Sequence, residues 1–242
     1  MSGHSKWSQI KRQKGITDNK RGMIFTKLGH LITIAAKEGG GDTGANFKLR
    51  LCIENAKKSN MPKENIERAI KRGTGELKGE IIEEIIYEAF APAGIVFIIN
   101  ALTDNKNRTI GDLRRVLHKY NVNLGGTNSV AWMFEKRGII KIINYKDKIK
   151  DLEQFELDLI EKGAEDIQEE GGELTICTKP EDLQKVREHL ENKNINLDYA
   201  EVELDAKNKI KVDNLKLKEK IENFCNELDE LEDINDYYTN SE

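Results

Sequence analysis

Lys6, Lys11, Arg12, Lys14, Lys20, Arg21 and Lys27 recur every few residues over the first 27 positions, and Asp18 is the single acidic side chain among them. Cations at this density displace the counterions that surround a polyphosphate, and a flat ring such as that of Trp7 can lie on a base. The arginines, Arg12 and Arg21, have the added capacity to fork onto a guanine edge. His4 would donate to a phosphate or a ribose. Trp7 stands so near the first residue that little chain surrounds it, and it has two readings: a stacking side chain, or an anchor folded back on the first helix.

Two further groups of side chains could do chemistry. Lys63, Arg68, Lys71 and Arg72, with Lys57 and Lys58 just before them, extend the positive set along the chain. Thr103–Thr109 gathers Asp104, Asn105, Asn107 and Arg108 between a strand-like and a helix-like run. Catalysis there would need a second titratable group poised against Asp104, and the sequence nominates none, so no catalytic residue is assigned. Asx-turn and capping duty is the expected role, with Asn105 and Arg108 kept as further nucleic-acid contacts.

The elements that must carry these groups follow from periodicity. Thr17 or Asp18 caps a helix to about Glu38, with Ile24, Leu28, Leu31, Ile32 and Ala35 as its apolar stripe, while Phe25 beside that stripe is structural. Gly39-Gly40-Gly41 ends it; with no strand before it and no GK[ST] after it, the triple glycine is a cap and not a phosphate loop. A second helix spans about Ala45 to Ser59, and a third starts at Pro62 and stops at Gly73. Ile85–Ala91 and Ile95–Thr103 read as a hairpin around Pro92-Ala93-Gly94. Asn107 or Thr109 caps a helix to Tyr120, and Ser129–Phe134 and Gly138–Ile143 read as strands.

This β-β-α-β order implies a sheet with helices on one face. A second cycle starts at Asp151: a helix to Lys162, strands near Ala164–Gln168 and Glu173–Thr178, a helix opened by Pro180 to Asn192, and a strand near Leu197–Leu204. A last helix, Asp213–Glu230, and a strand, Asp233–Tyr238, can complete the earlier sheet. The expected fold is α+β and multidomain. A basic three-helix domain (residues 1–78) precedes two small α/β sandwich domains, one of residues 79–135 with 206–242, the other of residues 136–205 inserted in it.

Charge divides along the same line. Residues 1–75 hold 16 Lys and Arg against 6 Asp and Glu, whereas residues 76–242 hold 23 against 37. A merely solvated face would mix both signs, so the division favours a module for a polyanion joined to an acidic body. Cys52, Cys177 and Cys225 form no CxxC pair, and His4, His30, His118 and His189 share no ligand spacing. Neither disulfides, a metal nor any other cofactor is therefore expected. The longest apolar run, Gly94–Leu102, is too short for a bilayer, and the first residues lack an apolar signal region, which points to a cytoplasmic protein with no membrane partner.

Five separated motifs resemble the YebC/PmpR family, which includes the mitochondrial translational activator of a cytochrome oxidase subunit. They are Gly3-His4-Ser5-Lys6-Trp7; Asp18-Asn19-Lys20-Arg21-Gly22 leading to Phe25-Thr26-Lys27-Leu28; Gly39-Gly40-Gly41-Asp42; Asn60 to Lys71 with Gly73-Thr74-Gly75; and Leu102-Thr103-Asp104-Asn105 with Asn107-Arg108-Thr109. The resemblance spans essentially the whole chain. It implies three domains, the third inserted between parts of the second, and a non-enzymatic regulator of gene expression. Family members are described both as DNA-binding transcriptional regulators and as ribosome-associated translation factors, including ones that relieve stalling on proline runs. The segment before Ser129 departs from the family pattern, with Asn121-Val122 in place of paired glycines and Gly126 in place of an acid, so no role is carried over to Asn123–Ser129. The partner is thus expected to be nucleic acid, as DNA or as ribosomal RNA, and neither the target sequence nor the oligomeric state is fixed by the residues.

Overall fold

A computed structural model describes residues 18–79 and 81–242. In chain order the elements are α1 (Asp18–Gly39), α2 (Phe47–Lys58), α3 (Lys63–Gly73), β1 (Glu83–Phe90), β2 (Val96–Thr103), α4 (Lys106–Tyr120), β3 (Asn123–Leu124), β4 (Phe134–Ile143), α5 (Leu152–Lys162), β5 (Ala164–Glu170), β6 (Glu173–Thr178), α6 (Leu183–Asn192), β7 (Tyr199–Ala206), α7 (Leu215–Asp229) and β8 (Ile234–Thr239). The architecture is α+β: a helical region, then two four-stranded antiparallel sheets with orders β3-β1-β2-β8 and β5-β6-β4-β7. By contacts the chain divides into two compact units, residues up to Trp132 together with Asn208–Glu242, and Met133–Lys207.

In the helical region Leu28, Ile32, Ala35 and Ala36 of α1 pack with Leu49, Ile53 and Ala56 of α2 and with Ile66 and Ala69 of α3. One buried amide sets the first corner. Asn46 Oδ1 accepts from the Leu49 N–H at the start of α2, while Asn46 Nδ2 donates to the carbonyls of Ala35 (2.7 Å) and Gly40 (2.8 Å) at the end of α1. It thereby satisfies orphan groups of two helices at once. Gly39 leaves room for it, since a Cβ there would stand 2.6 Å from Asn46 Nδ2. Gly73 seats the last turn of α3 on α1; a Cβ at this position would lie 2.4 Å from the Thr33 carbonyl oxygen and 2.6 Å from Ala36 Cβ. Between these points the Thr33 hydroxyl reaches the Ala69 carbonyl at 3.1 Å.

The first sheet carries α4 and α7 on one face, over a core that includes Phe97, Ile99, Leu113, Leu117, Phe224 and Leu228. The Phe97 and Phe224 rings meet edge to face at 5.0 Å, a favourable quadrupole arrangement. The closing strand β8 pairs with β2, so the chain end completes this sheet. In the second unit β4 lies between β6 and β7, and α5 and α6 cover Ile140, Ile142, Leu174 and Ile176.

Four local expectations are corrected. Ser129–Phe134 is no strand: Ala131–Met133 is a 3-10 turn, and a single strand, β4, runs from Phe134 through Gly138. That strand belongs to the second sheet, so the first sheet is completed by β8 and not by a β-β-α-β run. The cap of α4 is Asn105, whose Oδ1 accepts from Arg108 N, and not Asn107 or Thr109. Finally, α6 begins at Leu183, after a turn in which Asp182 N bonds to Lys179 O, and not at Pro180.

Candidate nucleic-acid interface

The third helix is the clearest cationic surface among the described residues. Ile66 and Ala69 face the core, which turns Arg68, Lys71 and Arg72, related by three and four residues, onto one exposed side. None of these three forms an ion pair within the described residues. Lys57 and Lys58, at the end of α2, are likewise exposed. Lys63 differs: its ammonium stands 3.5 Å from Glu67, one turn on. The first half of α3 therefore mixes signs, with Glu64 and Glu67 exposed beside Lys63, and the second half is purely positive.

Helix α1 treats its cations differently. Lys20 Nζ lies 2.9 Å from Glu230, whose carboxylate raises the lysine pKa, and Lys27 Nζ donates to the Asp229 carbonyl at 2.8 Å. Asp229 ends α7, so Lys27 supplies a donor and a positive charge where that helix leaves its carbonyls unmatched. Further along the same stripe His30 Nδ1 is 3.1 Å from the Leu102 carbonyl oxygen, and Ile34 packs with Ile82 and Leu102. Burial pushes the His30 pKa below its ordinary value, an effect only partly opposed by the Leu102 bond and the carboxylates of Asp233, Glu232 and Asp104. These residues dock α1 on the first sheet. Arg21 is exposed on α1. His4, Lys6, Trp7, Lys11, Arg12 and Lys14 lie outside the described residues.

The Thr103–Thr109 patch is occupied by the fold. Arg108 donates to both oxygens of Asp233, at 3.1 and 2.7 Å, and to Asp104 at 2.7 Å, while Thr109 Oγ1 donates to Asp233 at 2.7 Å. The Asp233 carboxylate, and then that of Asp104, hold the Arg108 pKa above its ordinary value despite desolvation. Asn105 caps α4. Asp104 thus faces a guanidinium, an arrangement that fixes the start of α4 and joins it to the chain before β8.

One organising residue escaped the sequence reading. Glu88, on β1, is 5% exposed and accepts from the backbone N–H groups of Asn128 and Val130 (both 2.5 Å) and Ala131 (2.9 Å), with the Ser129 hydroxyl at 3.4 Å. Burial raises its pKa, but the Val130, Asn128 and Ala131 donors and the Ser129 hydroxyl outweigh it, leaving the pKa below the ordinary glutamate value. A glutamate inside the apolar run Ile85–Phe90 was the available signal; its partners lie 40 residues away or more. Among the described residues no cluster of His, Cys, Asp or Glu is placed to hold a metal, and no helix is long and apolar enough to cross a membrane.

Comparison with known proteins covers nearly the whole chain. The model of the TACO1/YebC protein N-terminal domain matches residues 5–76, and that of the TACO1/YebC second and third domain matches residues 82–241. A relative from Natranaerobius thermophilus, named "Probable transcriptional regulatory protein", is 45% identical over 242 residues, spanning 99% of this chain and 96% of its own. One from Thermotoga maritima, with the same name, is 47% identical and spans 100% of this chain and 94% of its own. A crystal structure of a conserved hypothetical protein from Aquifex aeolicus superposes with a TM-score of 0.85 at 39% identity, covering 98% of this chain and 97% of that one. With both family models together spanning nearly every residue, the chain belongs to the TACO1/YebC family.

Proposed function

We propose that this protein is a non-enzymatic regulator of gene expression that grips nucleic-acid phosphates through its helical region. The observation that carries the reading is the exposed set Arg68, Lys71 and Arg72, left without ion pairs among the described residues, in a region whose charge is opposite to that of the rest of the chain. Exposed Lys57 and Lys58 of α2 and exposed Arg21 of α1 are further parts of the proposed contact, as are the cations from Lys6 to Lys14 with His4 and Trp7. The acidic body would keep the molecule from adhering along its whole length. The three-domain division at residues 1–78, 79–135 with 206–242, and 136–205 belongs to the proposal, supported by the break between the two family models. Cytoplasmic action is also part of it, and three cysteines with no disulfide among them fit a reducing compartment.

The relatives' names support a transcriptional role, and DNA is the nucleic acid that this first reading proposes. A second reading, a translation factor bound to ribosomal RNA, is favoured by α3 itself: exposed Glu64 and Glu67 make its first half ill suited to lie in a major groove between phosphates. Sedimentation of a lysate on a sucrose gradient, with and without ribonuclease, separates the two. Ribonuclease-sensitive migration with ribosomal particles supports translation, and a free protein that shifts one promoter fragment at physiological salt supports transcription. A protein that does neither, and whose retention on heparin is unchanged by Arg68→Gln/Lys71→Gln/Arg72→Gln, would end the nucleic-acid reading.

A further inference from the structure

The sheet of the second unit ends on β5, which pairs with β6 alone; its other edge takes no strand among the described residues. An open edge is a row of unmet N–H and C=O groups, and proteins blunt it with charge or with a bulge. Both are present here, since the register slips between Ala164 and Asp166, and Glu165, Asp166, Glu169 and Glu170 are all exposed. None of the four forms an ion pair among the described residues; Glu169 accepts from the Tyr145 hydroxyl and Asp166 from the Gln168 amide. Other carboxylates of this unit have cations at hand, Glu173 in Lys141 and Asp158 in Lys193. Ile167 points to the helices, packed in the core with Phe155 and Leu159 of α5, so Asp166, Gln168 and Glu170 project from the opposite face. Helix α5 lies over β5, and α6 over β4 and β7. Asp158 turns toward α6, bonded to His189 and Lys193. Ile160 stands about 200° further round α5, on the flank of the open edge. It is 56% exposed, and Leu157 beside it is exposed as well.

We infer that the β5 edge receives an extended, lysine- or arginine-rich segment of a partner protein as a further strand, its cations opposite Asp166 and Glu170 and its alternate, apolar side chains between Ile167 and Ile160. Binding here does not depend on the cations of α3. Opposite charges facing each other across two strands stabilise the pair and like charges oppose it, so an edge that rejects a second copy of itself accepts a basic strand. Main-chain bonds to the edge supply affinity, and the alternating side chains supply the choice of partner. Carboxylates alone would only keep copies of the chain apart; the exposed apolar flank of α5 gives an incoming strand something to bury. Nucleic acid or an anionic membrane meets repulsion at this edge.

The test follows the amide resonances and amide hydrogen exchange of full-length protein as it is titrated with a capped peptide alternating lysine and valine, matched to the seven residues of β5. Two analogues accompany it: a glutamate–valine peptide, and the lysine–valine peptide methylated at every backbone nitrogen, which keeps its charges and loses its main-chain donors. The expected result is that the lysine–valine peptide, and neither analogue, shifts the β5 amides and slows exchange along the open edge. Glu165→Lys/Asp166→Lys/Glu170→Lys should weaken that binding by about tenfold or more, and Ile160→Gln by about threefold. All four positions are exposed, and unmoved resonances in β4 and β6 verify that each variant is folded. A glutamate–valine peptide that binds equally well overturns the basic partner, and a methylated peptide that binds equally well overturns strand addition. Lysine–valine binding that leaves the β5 amides unmoved, or no binding of that peptide at all, overturns the site.

Discussion

Helices α1 and α3 come from one basic stretch of chain, yet the fold treats their cations in opposite ways. Lys20 and Lys27 of α1 reach the end of α7, where the Glu230 carboxylate and the Asp229 carbonyl receive them. Arg68, Lys71 and Arg72 of α3 point outward and find no carboxylate among the described residues. The same contrast holds for other charged groups of this unit: Arg108 is bound by Asp233, and Glu88 by backbone donors. A lysine in a basic run is therefore not by itself a phosphate contact. On the proposed function, what separates a structural cation from a binding one is whether the folded chain already supplies its counter-charge.

Substitutions should rank accordingly in stability. Glu88→Ala is expected to cost the most, about 3–5 kcal/mol in urea unfolding, because three backbone N–H groups lose their buried acceptor together. Since the folded pKa of Glu88 is depressed, its contribution is complete above the unfolded glutamate pKa and fades as pH falls through the lower folded value. Acid titration of the wild type, set against Glu88→Gln, checks that direction. Gly73→Ala should come next, at about 1–3 kcal/mol, since the new methyl meets the Thr33 carbonyl of α1 and not a movable side-chain end.

Smaller effects belong to the α1 docking stripe. His30 also has a depressed folded pKa, so the docked state should lose stability as pH falls below the ordinary histidine range, and His30→Gln should flatten that dependence in thermal melts between pH 5 and 7.5. A double-mutant cycle on Lys20→Ala and Glu230→Ala should return about 0.2–1 kcal/mol, as both side chains remain half exposed. Arg68→Gln, Lys71→Gln and Arg72→Gln should leave stability unchanged to within about 0.5 kcal/mol. A large loss there would mean that α3 hides a counter-charge and that the contrast is false.

Most of the fold was legible because its signals are local. The α1 stripe, the Pro62 start of α3, the Pro92-Ala93-Gly94 hairpin and the closing strand near Asp233–Tyr238 each follow from a few neighbouring residues. What was not legible divides in two: the exact caps of α4 and α6 turn on choices among neighbouring residues, whereas other features depend on a partner distant in sequence. Val130 to Phe134 has the composition of a strand, yet the N–H groups of Val130 and Ala131 are taken by Glu88 and cannot join a ladder. Lys20 and Lys27 are expected from the sequence as phosphate contacts, with no local sign of their acceptors within the fold, which lie more than 200 residues on. Arg108 looked available for the same reason, with Asp233 lying 125 residues away. Asn46 is expected inside the second helix, whereas it stands before Phe47 as its cap and its amide also reaches the end of α1.

The most direct test compares salt dependence. Binding of one oligonucleotide is measured from low to physiological salt for the wild type, for Arg68→Gln/Lys71→Gln/Arg72→Gln, and for Lys20→Gln/Lys27→Gln. If the outer face of α3 holds phosphates, the triple variant lowers the log–log slope by roughly 2–3, at about 0.7–0.9 per contact, while the α1 double variant keeps the wild-type slope. A triple variant with the wild-type slope, beside a double variant whose slope falls, would contradict the account.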